Sequence, residues 1–290
     1  MVFAGETGAL GSLPWLDAVC ADSRYPRLAG EWAVGCGPLG EVSRAWNLRT
    51  GDRVELQGVG NSPAVAPGML WEPGLHGGAW VLPETHPVRR PGWVDLDLVG
   101  PTATDGSRCV LPLANELQVL SLESGRRVHV PARPAPWYPP VVHGDRIAWV
   151  DLGSVDSQGE DVWMLGATGE GAAVAAGPGN ERHVALSGSS LAWIDDQGVV
   201  IQSLEDGQRR RWDGAVHTNT GLSLWQDVAC WEIYVNGDVD IRCSDGVMLD
   251  GEGHQRFPSR YEDLLLFRQD GRAWYTVVET VKSAPELDGD

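Results

Sequence analysis

Apolar residues in this chain occur in short dense runs that return on a fixed period. Gly144-Asp145-Arg146-Ile147-Ala148-Trp149-Val150-Asp151 is followed 44 residues on (188 − 144) by Gly188-Ser189-Ser190-Leu191-Ala192-Trp193-Ile194-Asp195. Val228-Ala229-Cys230-Trp231-Glu232 is a looser third copy. Such runs, bounded by Gly and polar turns, predict buried strands, and no stretch sustains a helical period. A second segment follows each run, alternating in polarity and closing on Gly. Its copies are Ala45-Trp46-Asn47-Leu48-Arg49-Thr50-Gly51, Val94-Asp95-Leu96-Asp97-Leu98-Val99-Gly100 and Val119-Leu120-Ser121-Leu122-Glu123-Ser124-Gly125. Three more are Asp161-Val162-Trp163-Met164-Leu165 running to Gly169, Ile201-Gln202-Ser203-Leu204-Glu205-Asp206-Gly207 and Asp240-Ile241-Arg242-Cys243-Ser244-Asp245-Gly246. From Gly51 to Gly246 the mean interval is (246 − 51)/5 = 39 residues. The Gly supplies the positive φ of a tight hairpin. Beyond it, Arg53-Val54-Glu55-Leu56, Arg127-Val128-His129-Val130 and residues 208–212 carry the charges of an exposed outer strand.

A four-stranded unit repeated about every forty residues predicts an all-β, seven-bladed β-propeller. Innermost strands are expected to begin near Trp32, Met69, Cys109, Ile147, Leu191, Val228 and Leu264. The expected blades are 28–63, 64–104, 105–140, 141–184, 185–221, 222–258 and 259–285. Six blades is the alternative, because the unit 69–105 is irregular. The last unit lacks an outer strand and the segment 13–19 lacks a partner. A strand within 10–20 is therefore expected to complete the seventh blade and close the ring, removing two sheet edges. The 290 residues are read as one domain with a polar tail at 283–290. Tryptophans at equivalent repeat positions (Trp149 and Trp193, Trp46 and Trp163) are read as packing between blades. Trp137 and Tyr138 lie off the repeat, in the Pro-rich connection 131–140, where an aromatic is available to a ligand.

Several stretches carry a family likeness. Pro140-Val141-Val142-His143-Gly144-Asp145-Arg146-Ile147-Ala148-Trp149-Val150-Asp151, Asp161-Val162-Trp163, Asn236-Gly237-Asp238-Val239-Asp240-Ile241 and Phe257-Pro258-Ser259 before Leu264-Leu265-Leu266-Phe267 resemble the repeat units of TolB-like bacterial β-propellers. The likeness covers residues 140–270 best and carries no catalytic motif. It implies a secreted or periplasmic propeller that binds proteins or glycans.

Charge narrows the partners. There are 22 Lys plus Arg against 40 Asp plus Glu, a net charge of −18, with Lys282 the single lysine. Such a surface repels nucleic acid and anionic lipid. Solubility alone accounts for acidity of this kind; the functional alternative is a basic peptide, a cationic sugar or a metal-rich partner. No apolar run of membrane-spanning length occurs. Met1-Val2-Phe3-Ala4-Gly5-Glu6 has neither the basic nor the apolar region of an export signal, so the expectation is either a cytoplasmic protein or a mature exported form whose signal or lipid anchor is absent from this sequence. The cysteines favour the second reading. Cys230 and Cys243 are placed to bridge adjacent strands across the Asn236-Gly237 turn, and Cys20 and Cys36 to tie the N-terminal region to the first blade; Cys109 is left as a buried thiol.

Histidines His143, His183, His217 and His254 fall in or near the connections between units. Imidazoles converging from successive blades hold divalent metals in the oligogalacturonate lyase propellers, whose His turn Gly253-His254-Gln255-Arg256-Phe257-Pro258 resembles. Their unequal offsets from the following runs argue against convergence here, so no metal or other cofactor is expected. Asp151, Asp195 and Glu232 share one repeat position and are read as structural acceptors for turn amides. No nucleophile elbow, P-loop or dinucleotide fingerprint is present. The expectation is a monomeric, non-enzymatic, exported binding propeller whose partner is a protein or a glycan. Its contact surface is a channel mouth bearing Arg182, His183, His217, Asn219, Arg256, Arg260, Tyr261, Trp137 and Tyr138. The alternative is a metal-dependent polysaccharide lyase or glycosidase acting at the central channel.

Overall fold

The protein is described from a computed structural model covering residues 11–12, 27–36, 42–56, 64–72, 78–82, 97–153, 159–166, 169–176, 179–214, 216, 221–250, 253–269 and 272–278. Among these residues every regular element is a strand, and the strands form seven antiparallel sheets in chain order. Six have four strands; the second, from the unit expected to be irregular, has three. The second strands are buried along most of their described length, and in the fifth sheet so is the third, which is why they read as unbroken apolar runs such as Leu191-Ala192-Trp193-Ile194 and Val199-Val200-Ile201. Alternate residues of such a strand serve opposite neighbours. Leu191 and Trp193 pack with Ala148 and Val150 of the fourth sheet, whereas Ala192 and Ile194 pack with Ala229 and Trp231 of the sixth.

Seven apolar clusters result, each shared by two successive sheets, and one of them joins the seventh sheet to the first. In that cluster Leu264, Leu266 and Ala273 meet Leu28 and Ala33, while the Leu28 amide donates to Ser259 Oγ at 3.0 Å. Of the repeated tryptophans, Trp149 and Trp193 are almost wholly buried, whereas Trp46 and Trp163 are partly buried and pack against the clusters shared by neighbouring sheets. The hairpin glycines behave as their positions demand: Gly51, Gly125, Gly207 and Gly246 have φ of 81°, 70°, 74° and 93°. Outer strands Arg53–Glu55, Arg127–Pro131 and Arg209–Asp213 are the exposed edges foreseen from their charges.

Two expectations are corrected. The strands beginning near Trp32, Met69, Cys109, Ile147, Leu191, Val228 and Leu264 are second, not innermost. The inner position belongs to the short strands before them: Arg27–Ala29, Ala64–Ala66, Ala103–Thr104, Val141–His143, Arg182–Leu186, Leu222–Trp225 and Gln255–Tyr261, each touching the inner strand of the next sheet. The copy closing on Gly100 is also no hairpin. Residues 97–100 are not in a strand, Gly100 abuts Pro136 rather than turning at positive φ, and the third strand of the second sheet is Gly78–Val81.

The N-terminal addition to the seventh sheet is present. Gly11–Ser12 pairs antiparallel with Arg272–Val277, Gly11 opposite Tyr275 and Ser12 opposite Trp274. Segment 13–19, to which the sequence assigned this role, lies outside the described residues.

The Cys230–Cys243 disulfide forms between directly opposed residues of adjacent strands, 4.0 Å apart at Cα. That spacing belongs to the close, non-hydrogen-bonded pair of an antiparallel ladder. Cys109 is a buried thiol. Cys20 and the side chain of Cys36 lie outside the described residues.

Candidate functional site at the channel mouth

The seven inner strands surround a cavity of about 1560 Å³ that runs the length of the channel. Each inner strand starts from the connection between sheets and ends at a hairpin to the second strand. First residues therefore gather at one mouth and last residues at the other. This sorts the sequence-predicted surface. Trp137, Tyr138, Arg182, His183 and Arg256 belong to the connection mouth. Arg260 and Tyr261 end the strand Gln255–Tyr261 and belong to the hairpin mouth, roughly 15 Å from Arg256 by strand rise. His217 and Asn219 lie outside the described residues.

At the hairpin mouth, Tyr261 lies on Trp225 with ring centroids 4.4 Å apart. The Arg260 side chain is only 1% exposed and pairs with Asp245 of the sixth sheet at 2.7 Å. Arg260 thus joins two sheets from within. His143 sits at this end too, beside Gly188. His183 is at the other end, and His254 pairs with Asp238 at 2.8 Å. His143 therefore lies at the opposite mouth from His183.

The connection mouth is built between the fourth and fifth sheets. Trp137 is 57% exposed, and its indole Nε1 donates to Glu160 Oε1 at 3.0 Å, which fixes the ring in place. Tyr138 meets it edge-on at 6.2 Å between centroids and meets His183 edge-on at 4.6 Å. Burial and then the charge of Glu160 push the Tyr138 hydroxyl up to about 12, so it stays protonated and able to donate. His183 reaches Tyr138 from an unusual backbone. Its φ is +47°, at a bulge between Arg182 and Ala185, and such a conformation in a residue with a Cβ re-aims the side chain. Arg182 approaches Glu160 at 3.8 Å and Asp196 at 3.4 Å.

The seventh sheet repeats the device. Phe257 has φ of +56° at a bulge between Arg256 and Ser259, although the following Pro258 favours extended backbone. Buried Glu232 holds the bulge by accepting the Phe257 amide at 2.7 Å and the Gly221 amide at 3.4 Å. Burial raises the Glu232 carboxyl to about 7 against the pull of these amides and of Arg256. Its repeat partners do similar work. Asp151 accepts the Arg133 and Gly153 amides and the Trp149 indole, while Asp195 accepts the Gln197 and Gly198 amides. Sequence reading missed Glu160, Glu181 and Asp196 at this mouth. Their signal would have been acidic residues flanking the one off-repeat aromatic pair, but loops of this acidic chain look alike.

No protein-family model and no curated protein matches the chain. Solved structures do. The β-propeller domain of the Trilobed protease from Pyrococcus furiosus is 11% identical, with a TM-score of 0.56 over 100% of each chain. The U3-55K structure is 11% identical, with a TM-score of 0.54 over 88% of this chain and 100% of the other. BamB from Moraxella catarrhalis is 11% identical, with a TM-score of 0.50 over 93% of this chain and 98% of the other. At such identity the likeness is one of architecture, and the architecture is a β-propeller.

Proposed function

We propose that this chain is a non-enzymatic binding propeller, a single closed seven-bladed domain of TolB-like character. In this reading it works in an oxidising compartment, periplasmic or extracellular, and engages a protein or glycan at the connection mouth of its channel. One observation carries the reading. A tryptophan more than half exposed is held by a hydrogen bond to Glu160, beside Tyr138, His183 and Arg182, at the rim of a large cavity. A fixed, exposed aromatic flanked by charged hydrogen-bonding groups is the composition of a binding hot spot. The Cys230–Cys243 bridge supports the compartment, since structural disulfides persist where thiols are not kept reduced.

The test is a screen of the purified chain against envelope proteins and oligosaccharides, repeated with Trp137→Ala and Tyr261→Ala. These two residues report on opposite mouths. A partner lost with Trp137→Ala and retained with Tyr261→Ala fits the proposal, with a loss of about 2 kcal/mol or more expected for a hot-spot aromatic. The converse pattern moves the site to the hairpin mouth. Stoichiometric Mn, Fe or Zn in the purified protein, with turnover of a polysaccharide, replaces the binding reading by an enzymatic one.

A further inference from the structure

Resting on the connection mouth being a binding site, we propose that it receives a guanidinium or ammonium side chain from a basic segment of a partner protein, stacked on Trp137 and countered by Glu160, Glu181 and Asp196. Trp137 offers its face, because its edge is occupied by the bond to Glu160. Tryptophan is the strongest of the aromatic rings at attracting a cation over its face. Around it the charges do not balance. Among the described residues, Arg182 is the cation paired with Glu160 and Asp196, and no ion pair is formed by Glu181; Asp195, next along, is taken up by Arg211 through two bonds of 2.9 and 2.6 Å.

Arg182 is shared between Glu160 and Asp196 at distances longer than a charge-assisted hydrogen bond adopts, about 2.8 Å. It occupies the position of an incoming cation without satisfying both carboxylates. Glu181 Oε2 is shielded from solvent, and among the described residues nothing donates to it. Burial first, and then Asp161, Asp195 and Asp196, raise the Glu181 carboxyl above its ordinary range against the pull of its own backbone amide. The net charge of −18 would steer a basic partner toward the molecule. A neutral glycan would use the ring but leave these carboxylates uncompensated, which favours a basic protein segment over a sugar.

The experiment follows the Trp137 indole N–H resonance of the full chain, assigned by its loss in Trp137→Phe. The probes are a capped Gly-Arg-Gly-Arg-Gly peptide, its citrulline counterpart and a neutral cello-oligosaccharide. The arginyl peptide should shift the resonance saturably and the citrulline peptide should bind far more weakly. Trp137→Ala and the pair Glu160→Gln/Glu181→Gln should each weaken binding roughly tenfold, read by calorimetry. Glutamine at 160 keeps an acceptor for the indole, so ring placement survives the loss of charge. Arg182→Gln should tighten peptide binding, because it removes an internal competitor; an arginine that gripped a partner's carboxylate, or merely braced the fold, would not do so. Equal binding of the two peptides, or weaker binding in Arg182→Gln, overturns the proposal. A resonance moved by the oligosaccharide alone overturns it while leaving the mouth as a binding site. If no probe moves Trp137, both readings fall.

Discussion

Glu232 is the residue at which burial and charge oppose each other most directly. Its side chain is fully enclosed, yet it is the only acceptor described for the Phe257 amide, whose left-handed backbone shapes the channel wall. Burial favours the neutral acid, so the folded protein holds this proton until about pH 7, whereas an ordinary glutamate releases it near 4.5. Between those values the unfolded chain gives up the proton first, and folding stability falls as pH rises. Below the lower value the group has no effect; above about pH 8 the loss is complete, on the order of 3 kcal/mol. Glu232→Gln keeps an acceptor for Phe257 and has no proton to lose. Urea denaturation from pH 4.5 to 8 should therefore show the parent falling behind the variant across that window. A constant gap would mean that the carboxyl does not titrate there. Arg260 teaches a related lesson at the same scale. A channel-lining arginine suggests ligand binding, but a side chain paired with Asp245 inside the sheet interface is a brace.

Among elements, legibility follows burial. Second strands such as Arg146–Asp151 and Ser190–Ile194 touch a sheet on either side and spell out apolar runs that nothing else in the chain imitates. Inner strands touch neighbours at their edges and line the channel cavity, so Val141–His143 and Arg182–Leu186 mix apolar with polar residues and read as turns. That is why the sequence places the innermost strand of each unit one strand late, and why Arg256 and Tyr261, toward opposite ends of one seven-residue strand, are grouped at a single mouth. Trp137 and Tyr138 could be found because they break the repeat; Glu160, Glu181 and Asp196 could not, because acidic loops are everywhere in this chain. The cross-strand cysteines were legible from the turn between them. Their bond closes a hairpin loop separated by 13 residues, for which loop entropy implies about 3 kcal/mol. Reduction, or Cys230→Ser with Cys243→Ser, should lower the denaturation midpoint correspondingly. No change on adding reductant, with thiol titration confirming that the bond was cut, would count against a stabilising role.

For the whole molecule, the question is how the two ends of the array of sheets are kept together. Side-chain packing does part of this, through Leu28 and Ala33 against Leu264 and Leu266. The backbone does the rest: Gly11–Ser12 supplies the fourth strand of a sheet whose other three strands lie at the far end of the sequence. A contact between residues so distant in sequence stabilises the native state only once every intervening sheet is in place, so it should act as a latch on a folded array rather than as a nucleus. Removing residues 1–12 leaves Arg272–Val277 as an unpaired edge, open to another chain. Two ladder positions at roughly 1 kcal/mol each predict a loss of about 2 kcal/mol, or about 5 °C in melting temperature for a domain of this size. A prolyl variant, Ser12→Pro, constrains the backbone of the same strand and removes its N–H without shortening the chain. Both proteins should melt earlier and unfold faster while refolding at the parent rate, because the latch forms last. They should also self-associate more readily in light scattering. If refolding slows instead and unfolding does not change, the N-terminal pairing belongs to the folding nucleus, and the array is assembled from its ends inward.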